Sequence, residues 1–180
     1  MDLVKNWLRV QCDPQTKEQI VRMLADPDAG VGSVDFNAIT PMPKWVYRGD
    51  LDKETIQRLG AENCWLEWCR TNWGTEHNTI DPQRSAAAYH GGPVLCFVTA
   101  STPVPLLMQR LSRIWPDVWL DYLWAYEDIE RGAGALQYRD GVETMRYCPK
   151  PGTQESCKLA YDILQTEQEG GKAYGNGTDR

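Results

Sequence analysis

The order of apolar runs along this chain predicts an α+β protein with helices laid over one face of an antiparallel sheet. Three observations carry the prediction. Residues 94–99 form a continuous apolar run of strand length, as a central strand would. That run leads into Thr102-Pro103, after which Val104, Leu107, Met108, Leu111 and Ile114 recur at helical spacing. Near the start, an alternating segment is followed at once by a capped helix signal.

Taken in order, residues 7–12 alternate, with Leu8, Val10 and Cys12 on one face and Arg9 and Gln11 on the other, so they read as a half-buried strand. Asp13 can cap a helix and Pro14 suits its first position, which predicts a helix over 14–25 with Ile20, Val21 and Leu24 inward. Asp26-Pro27-Asp28-Ala29-Gly30 closes it, and the apolar segment 34–39 runs into Pro41-Met42-Pro43, where two prolines favour an extended path. Asp50 or Asp52 opens a short helix that Gly60 ends. A second helical piece over 61–72 brings Trp65, Trp68 and Cys69 near one face, with Trp73 just beyond. Residues 85–90 read as a strand, and Gly91-Gly92-Pro93 as a turn. After the central strand, Thr102 caps a helix that Pro103 begins and that ends near Trp115. Residues 118–127 form a strand rich in Trp and Tyr. Gly132-Ala133-Gly134 and Asp140-Gly141 bracket a shorter strand that turns back into 142–147. A helix over 154–165 follows, and Gly, Asn and charge dominate from 167, predicting a disordered tail over 167–180. The domain plan is thus one sheet domain over 1–150 with a helical insertion at about 50–72, then a C-terminal helix over 151–166. Its order is strand, helix, strand, strand, helix, strand, with a hairpin appended.

Composition narrows the function classes. The 180 residues suit one domain and carry a formal net charge of −6. Phosphate backbones repel such a chain, no Lys/Arg run offsets this, and direct nucleic-acid binding is disfavoured. Eight Trp and eight Tyr stand against two Phe, an excess that favours rings with one polar end and hence a recognition surface. No apolar run is long enough to cross a bilayer and no secretory signal opens the chain, so the expected location is cytoplasmic, without membrane contact. The six cysteines are then expected as thiols, with Cys12 and Cys96 as small core residues.

Chemistry-bearing residues are sparse. His77 lies beside Trp73-Gly74-Thr75 with Glu76 and Asn78, a cluster that reads as a pocket with an acid–base group or as a surface loop. Cys64 and Cys69 point about 140° apart on a helix, so no metal site is expected there. A Cys148–Cys157 disulfide is disfavoured in a reducing compartment. Gly132-Ala133-Gly134 lacks the strand-before, helix-after setting of a phosphate loop. Glu127, Asp128 and Glu130 make an acidic run without the basic groove a nuclease would need. No catalytic residue, cofactor or metal is expected, and the protein is not read as an enzyme.

Several segments, in order, resemble one family. They are Asn6-Trp7-Leu8-Arg9-Val10, Asp35-Phe36-Asn37-Ala38-Ile39-Thr40-Pro41-Met42-Pro43, Asn72-Trp73-Gly74-Thr75, Phe97-Val98-Thr99-Ala100-Ser101-Thr102-Pro103, Leu111-Ser112-Arg113-Ile114-Trp115-Pro116 and Tyr126-Glu127. Together they resemble the YubB-like ferredoxin-like domain family of phage and plasmid proteins, over about 5–141. Two positions depart: Glu76-His77-Asn78 stands where the family carries a second Trp, and Ser101 where it carries a Trp after Thr-Ala. The resemblance implies a mobile-element origin and a ferredoxin-like βαββαβ sheet with two helices on one face, here with the helical insertion and hairpin extension. It implies no reaction.

These readings lead to a phage or plasmid accessory protein, a non-enzymatic module that binds a host protein, with counter-defence as one version. The alternative is a small-molecule or nucleotide pocket between the Trp73-Gly74-Thr75 corner and Thr99-Ala100-Ser101. The candidate surface comprises Trp65, Trp68, Trp73, Gly74, Thr75, His77, Asn78, Thr99 and Ser101. A third reading makes the Trp-rich face a homodimer contact.

Overall fold

The computed structural model describes residues 2–166. Its strands are β1 (Leu3–Gln11), β2 (Val94–Ala100), β3 (Trp119–Tyr126), β4 (Ala133–Arg139) and β5 (Val142–Tyr147). Its helices are α1 (Pro14–Leu24), α2 (Lys53–Leu59), α3 (Trp65–Asn72), α4 (Pro82–Ala88), α5 (Pro105–Ile114) and α6 (Gln154–Thr166). The strands form one antiparallel open sheet in the order β2-β1-β3-β4-β5. The protein is therefore α+β, as the apolar pattern predicts. The tail expected from 167 lies outside the described residues.

Alternation divides the sheet into two faces. Leu8 sits opposite Leu95 on one neighbour and Tyr122 on the other, and Tyr122 sits opposite Leu136. All four are buried at 2% exposure or less and meet Ile20, Val21 and Leu24 of α1 and Leu107, Met108 and Leu111 of α5. Two helices thus share one face, as expected. Each such side chain contributes about 1.5–3 kcal/mol by leaving water, so this layer dominates the stability of the fold. The opposite face is not left bare. Ala125 and Ala133 are small enough for α6 to approach, and Ala160 and Ile163 pack there beside Trp7. At the Trp124–Gly134 pair on the first face, a Cβ on Gly134 would stand 2.5 Å from Trp124 Nε1, so only glycine lets the indole lie across its partner strand.

The sequence reading needs four corrections. Residues 85–90 are not a strand; Asp81 caps α4, accepting from the Arg84 N–H, with Pro82 at the first position. What pairs with β2 on its outer side is one antiparallel bridge, Ile80 to Val98. The strand order consequently differs from that of a four-stranded βαββαβ fold. The helix expected from Thr102-Pro103 begins at Pro105, with Val104 preceding it and no side-chain cap. Cys12 lies past the end of β1 and is exposed, whereas Cys96 is half-buried against the α6 core. The helical stretch over 61–72 is a 3-10 turn, Ala61–Asn63, followed by α3.

No disulfide joins any of the six cysteines, Cys148 and Cys157 included. Among the described residues no helix is long and apolar enough to cross a membrane.

Candidate functional site

The Trp73-Gly74-Thr75 corner grows out of the C-terminus of α3. The Trp73 and Gly74 N–H groups both close on Cys69 O, at 2.7 and 3.1 Å. Gly74 takes φ +79°, a left-handed turn that glycine adopts without steric cost. The chain is thereby aimed at the end of β2. Thr75 Oγ1 donates to Ala100 O at 2.6 Å, and Thr102 Oγ1 donates to Gly74 O at 2.6 Å. The corner and the 99–102 segment, distant in sequence, are one clasp.

Beneath the clasp is a buried polar chain. Thr99 Oγ1 donates to Thr102 O at 2.7 Å and accepts from Asn6 Nδ2 at 3.0 Å. Tyr122 Oη donates to Asn6 Oδ1 at 2.6 Å and accepts from the Val104 N–H at 2.8 Å. Burial pushes the Tyr122 phenol far above its ordinary range, so it remains a neutral donor. Ser101 turns the chain at φ +69°, its N–H on Asp2 O at 2.7 Å and its carbonyl accepting from Tyr126 Oη at 3.1 Å. The hydroxyls of Thr75, Thr99 and Thr102 thus all donate to backbone carbonyls. That arrangement fixes the loop, and none of the three is set up for proton exchange with a substrate.

The aromatic residues divide. Trp73 is buried, its ring edge-on to Phe36 and Trp68 at 5.7 and 5.3 Å, and its Nε1–H donates to Thr40 O at 2.8 Å. Trp68 is buried with it. These two rings, candidates for a pocket or surface on a stripe that more often packs inward, are core, because α3 turns its apolar stripe onto the 36–40 segment. The reading of a Trp-rich homodimer face therefore loses its two central rings. Trp65 is half-buried, donates to Gly49 O at 3.2 Å and lies against the His77 ring at 5.3 Å. Asn78 Oδ1 accepts from the Phe36 N–H at 3.0 Å, and its amide donates to Asp35 Oδ1 at 2.6 Å, tying two loops together. Arg70 bridges Glu67 and Glu76, and its hydrogen bond holds the Glu76 carboxyl below the usual range. Burial pushes the Cys69 thiol up to about 11, which leaves it unreactive at neutral pH. Among the described residues no group of three His, Cys, Asp or Glu side chains is placed to hold a metal ion.

A cavity of about 250 Å³ lies elsewhere, on the α6 side of the sheet, between β1, β2 and α4. Leu3, Trp7, Ile80, Ala88, Cys96 and Val98 supply its apolar walls, while Lys5, Asp81, Arg84 and Glu127 bring both signs of charge.

Three residues outside the sequence reading matter here. Asn6 falls between Val4 and Leu8 on the buried face of β1, and a polar residue in an inward register position is a signal visible in the alternation. Arg110 Nη1 reaches Asn72 O at 2.5 Å and Thr40 Oγ1 at 3.1 Å, a link no local pattern reveals. Trp45 is 63% exposed. It lies just past Pro41-Met42-Pro43, in a stretch to which the sequence reading assigns nothing.

The fold and this clasp define an α+β architecture built on one five-stranded antiparallel sheet. No protein family, curated protein or solved structure matches this chain.

Proposed function

We propose that the protein is a non-enzymatic binding module, an accessory protein of a phage or plasmid that engages a host protein through the loop carrying Trp45. The observation that carries this reading is that Trp45 is 63% exposed on a loop that is itself anchored on both sides. Arg48 Nη2 donates to Met42 O and Pro43 O at 3.0 and 3.2 Å. Val46 is buried, and Tyr47 exchanges backbone hydrogen bonds with Asn63 and Trp65, both at 2.9 Å. A large ring held out on a preorganised loop loses little entropy on binding and is the residue type that dominates interface energies. The net charge of −6 suits a basic partner surface. The same reading takes the fold as an altered ferredoxin-like one, with the Ile80–Val98 bridge standing where the second strand would run.

Pull-down from host lysate tests it. The wild-type protein is expected to retain a stoichiometric partner, and Trp45→Ala to weaken that complex on the order of thirtyfold while leaving the melting temperature unchanged. Failure to recover a partner, or a partner indifferent to Trp45→Ala, would remove the reading.

A second reading keeps a small-molecule or nucleotide site but moves it from the Trp73-Gly74-Thr75 corner, whose hydroxyls are engaged, to the cavity beside Trp7 and Arg84. A ligand there is expected to raise the melting temperature in a screen of nucleotides and small organic anions, with the shift abolished by Arg84→Ala. A screen without any shift counts against it.

A further inference from the structure

The two ends of the sheet differ. The outer side of β2 receives the chain's own Ile80, whose N–H bonds to Val98 O at 2.9 Å, and α4 follows beside it. The outer side of β5 has no strand beside it among the described residues. Five of the six residues of β5 are exposed, with Val142 at 60%, Met145 at 43% and Tyr147 at 49%. The strand contains neither Pro nor Lys, the residues that commonly guard an edge.

Its sequence is also complementary to itself. Two copies of Val142-Glu143-Thr144-Met145-Arg146-Tyr147 set antiparallel about a two-fold axis at the middle of the strand give three pairs, each formed twice. Val142 meets Tyr147, Glu143 meets Arg146, and Thr144 meets Met145. The faces agree as well. Against β4, Glu143 stands opposite Tyr138 and Arg146 opposite Leu136, so both charges lie on the side covered by α1 and α5. Val142, Met145 and Tyr147 stand opposite Arg139, Gln137 and Ala135, on the other side. This separation depends on the irregularity between Gln137 and Tyr138, which leaves Thr144 as the extra residue. A bulge is a common guard of an edge, but here it places two opposite charges, three residues apart, on one face. Within one chain they pair, Arg146 Nε and Nη2 donating to the two Glu143 carboxylate oxygens at 2.6 and 2.7 Å. Beside a second copy the same four groups would alternate in sign around the two-fold axis, and the three apolar side chains of each strand would cover one another.

We propose that β5 is a homodimerisation edge, on which a second copy of this chain adds its own β5 antiparallel and extends the sheet across the two-fold axis. The partner is specified by charge complementarity: in this register each Glu143 and Arg146 stands beside the opposite charge of the second strand, whereas a strand carrying a single sign of charge would set like charges against one of them. The contact is small, so the dimer forms reversibly and its share rises with concentration.

Sedimentation and light scattering of the full chain over a concentration series test the proposal. The mass is expected to rise from the 20.5 kDa chain toward twice that value. Glu143→Arg and Arg146→Glu are each expected to weaken the dimer by about tenfold or more, because every reversal acts twice across the axis. The double exchange, Glu143→Arg with Arg146→Glu, restores opposite pairs and is expected to restore the dimer. Arg146 is exposed and Glu143 half-buried, and an unchanged thermal melt at low concentration verifies that each variant is folded. A wild-type protein that stays at the chain mass throughout overturns the proposal. So does a dimer that ignores the single reversals, which would place the contact on another surface, and so does a double exchange that stays monomeric.

Discussion

Trp73→Ala is expected to destabilise the fold by about 4 kcal/mol, a large share of the 5–15 kcal/mol that holds a domain together. The ring is 3% exposed and touches Phe36 and Trp68 edge-on. Alanine removes those contacts and leaves a cavity that the neighbouring helix and loop cannot fully close. It also strips Thr40 O of the indole N–H. For a chain of this size the loss corresponds to a melting temperature lower by about 8–16 °C. Denaturant titration measures it, and Trp73→Phe separates the ring from the hydrogen bond, since phenylalanine keeps most of the packing and loses only the donor. The damage should concentrate in the insertion. Hydrogen exchange is expected to accelerate across 36–40 and 64–79 before it does in β1 or β3. A loss below about 1 kcal/mol would mean that the insertion is not anchored by this ring.

Tyr122→Phe is the second large effect, expected at about 2–4 kcal/mol although only one oxygen is removed. That oxygen serves Asn6 Oδ1 and the Val104 N–H, and Tyr122, Asn6 and Val104 are all at 1% exposure or less. Phenylalanine leaves both partners dry and unpaired, and that penalty exceeds the net worth of the bonds themselves. The same phenol shapes the alkaline limb of stability. Burial raises the pKa of Tyr122 far above its ordinary value, and burial first and Glu143 second push Tyr138 up to about 12. A pKa raised in the folded state means the unfolded chain releases its proton first. The stabilising effect is complete below about pH 10, and stability falls as the pH rises beyond that. Tyr122→Phe is expected to flatten this decline in part, because one of the four phenols that burial raises, Tyr89, Tyr122, Tyr126 and Tyr138, no longer titrates. Denaturation midpoints from neutral pH to about pH 11 check both parts, and a variant that keeps the full alkaline slope would show that Tyr122 is not the group responsible.

Elements written in local signals were readable. Asp13-Pro14 begins α1 where the cap and the proline require, and Asp13 accepts from the Thr16 N–H at 2.9 Å. The Asp140-Gly141 turn and the β4–β5 hairpin follow turn chemistry. The apolar stripe of α5 faces the sheet through Leu107, Met108 and Leu111, whereas Ile114, read as part of it, is exposed because it lies at the helix end beyond the sheet-covered turn. Asp81-Pro82 carried the same helix signal as Asp13-Pro14, and the run of small residues after it obscured α4. The start of α5 was misplaced for a different reason. Thr102 is a good cap by type, but its hydroxyl is drawn to Gly74 O across the clasp, so the helix waits for Pro105. The Trp65–Trp73 stripe was legible as a stripe, yet spacing does not say whether a stripe faces core or solvent. That depends on what packs against it.

The sequence by itself determined the α+β class, most strands and helices and the apolar stripes of α1 and α5. These follow from periodicities of two and 3.6 and from capping, which act over a few residues. Only the tertiary structure decided the strand order, the reach of α6 across the second face, the burial of Trp68 and Trp73, the exposure of Trp45 and the open flank of β5. Each of those is settled by which surfaces meet after the chain has closed long loops, and contacts between residues far apart in sequence leave no local periodic trace.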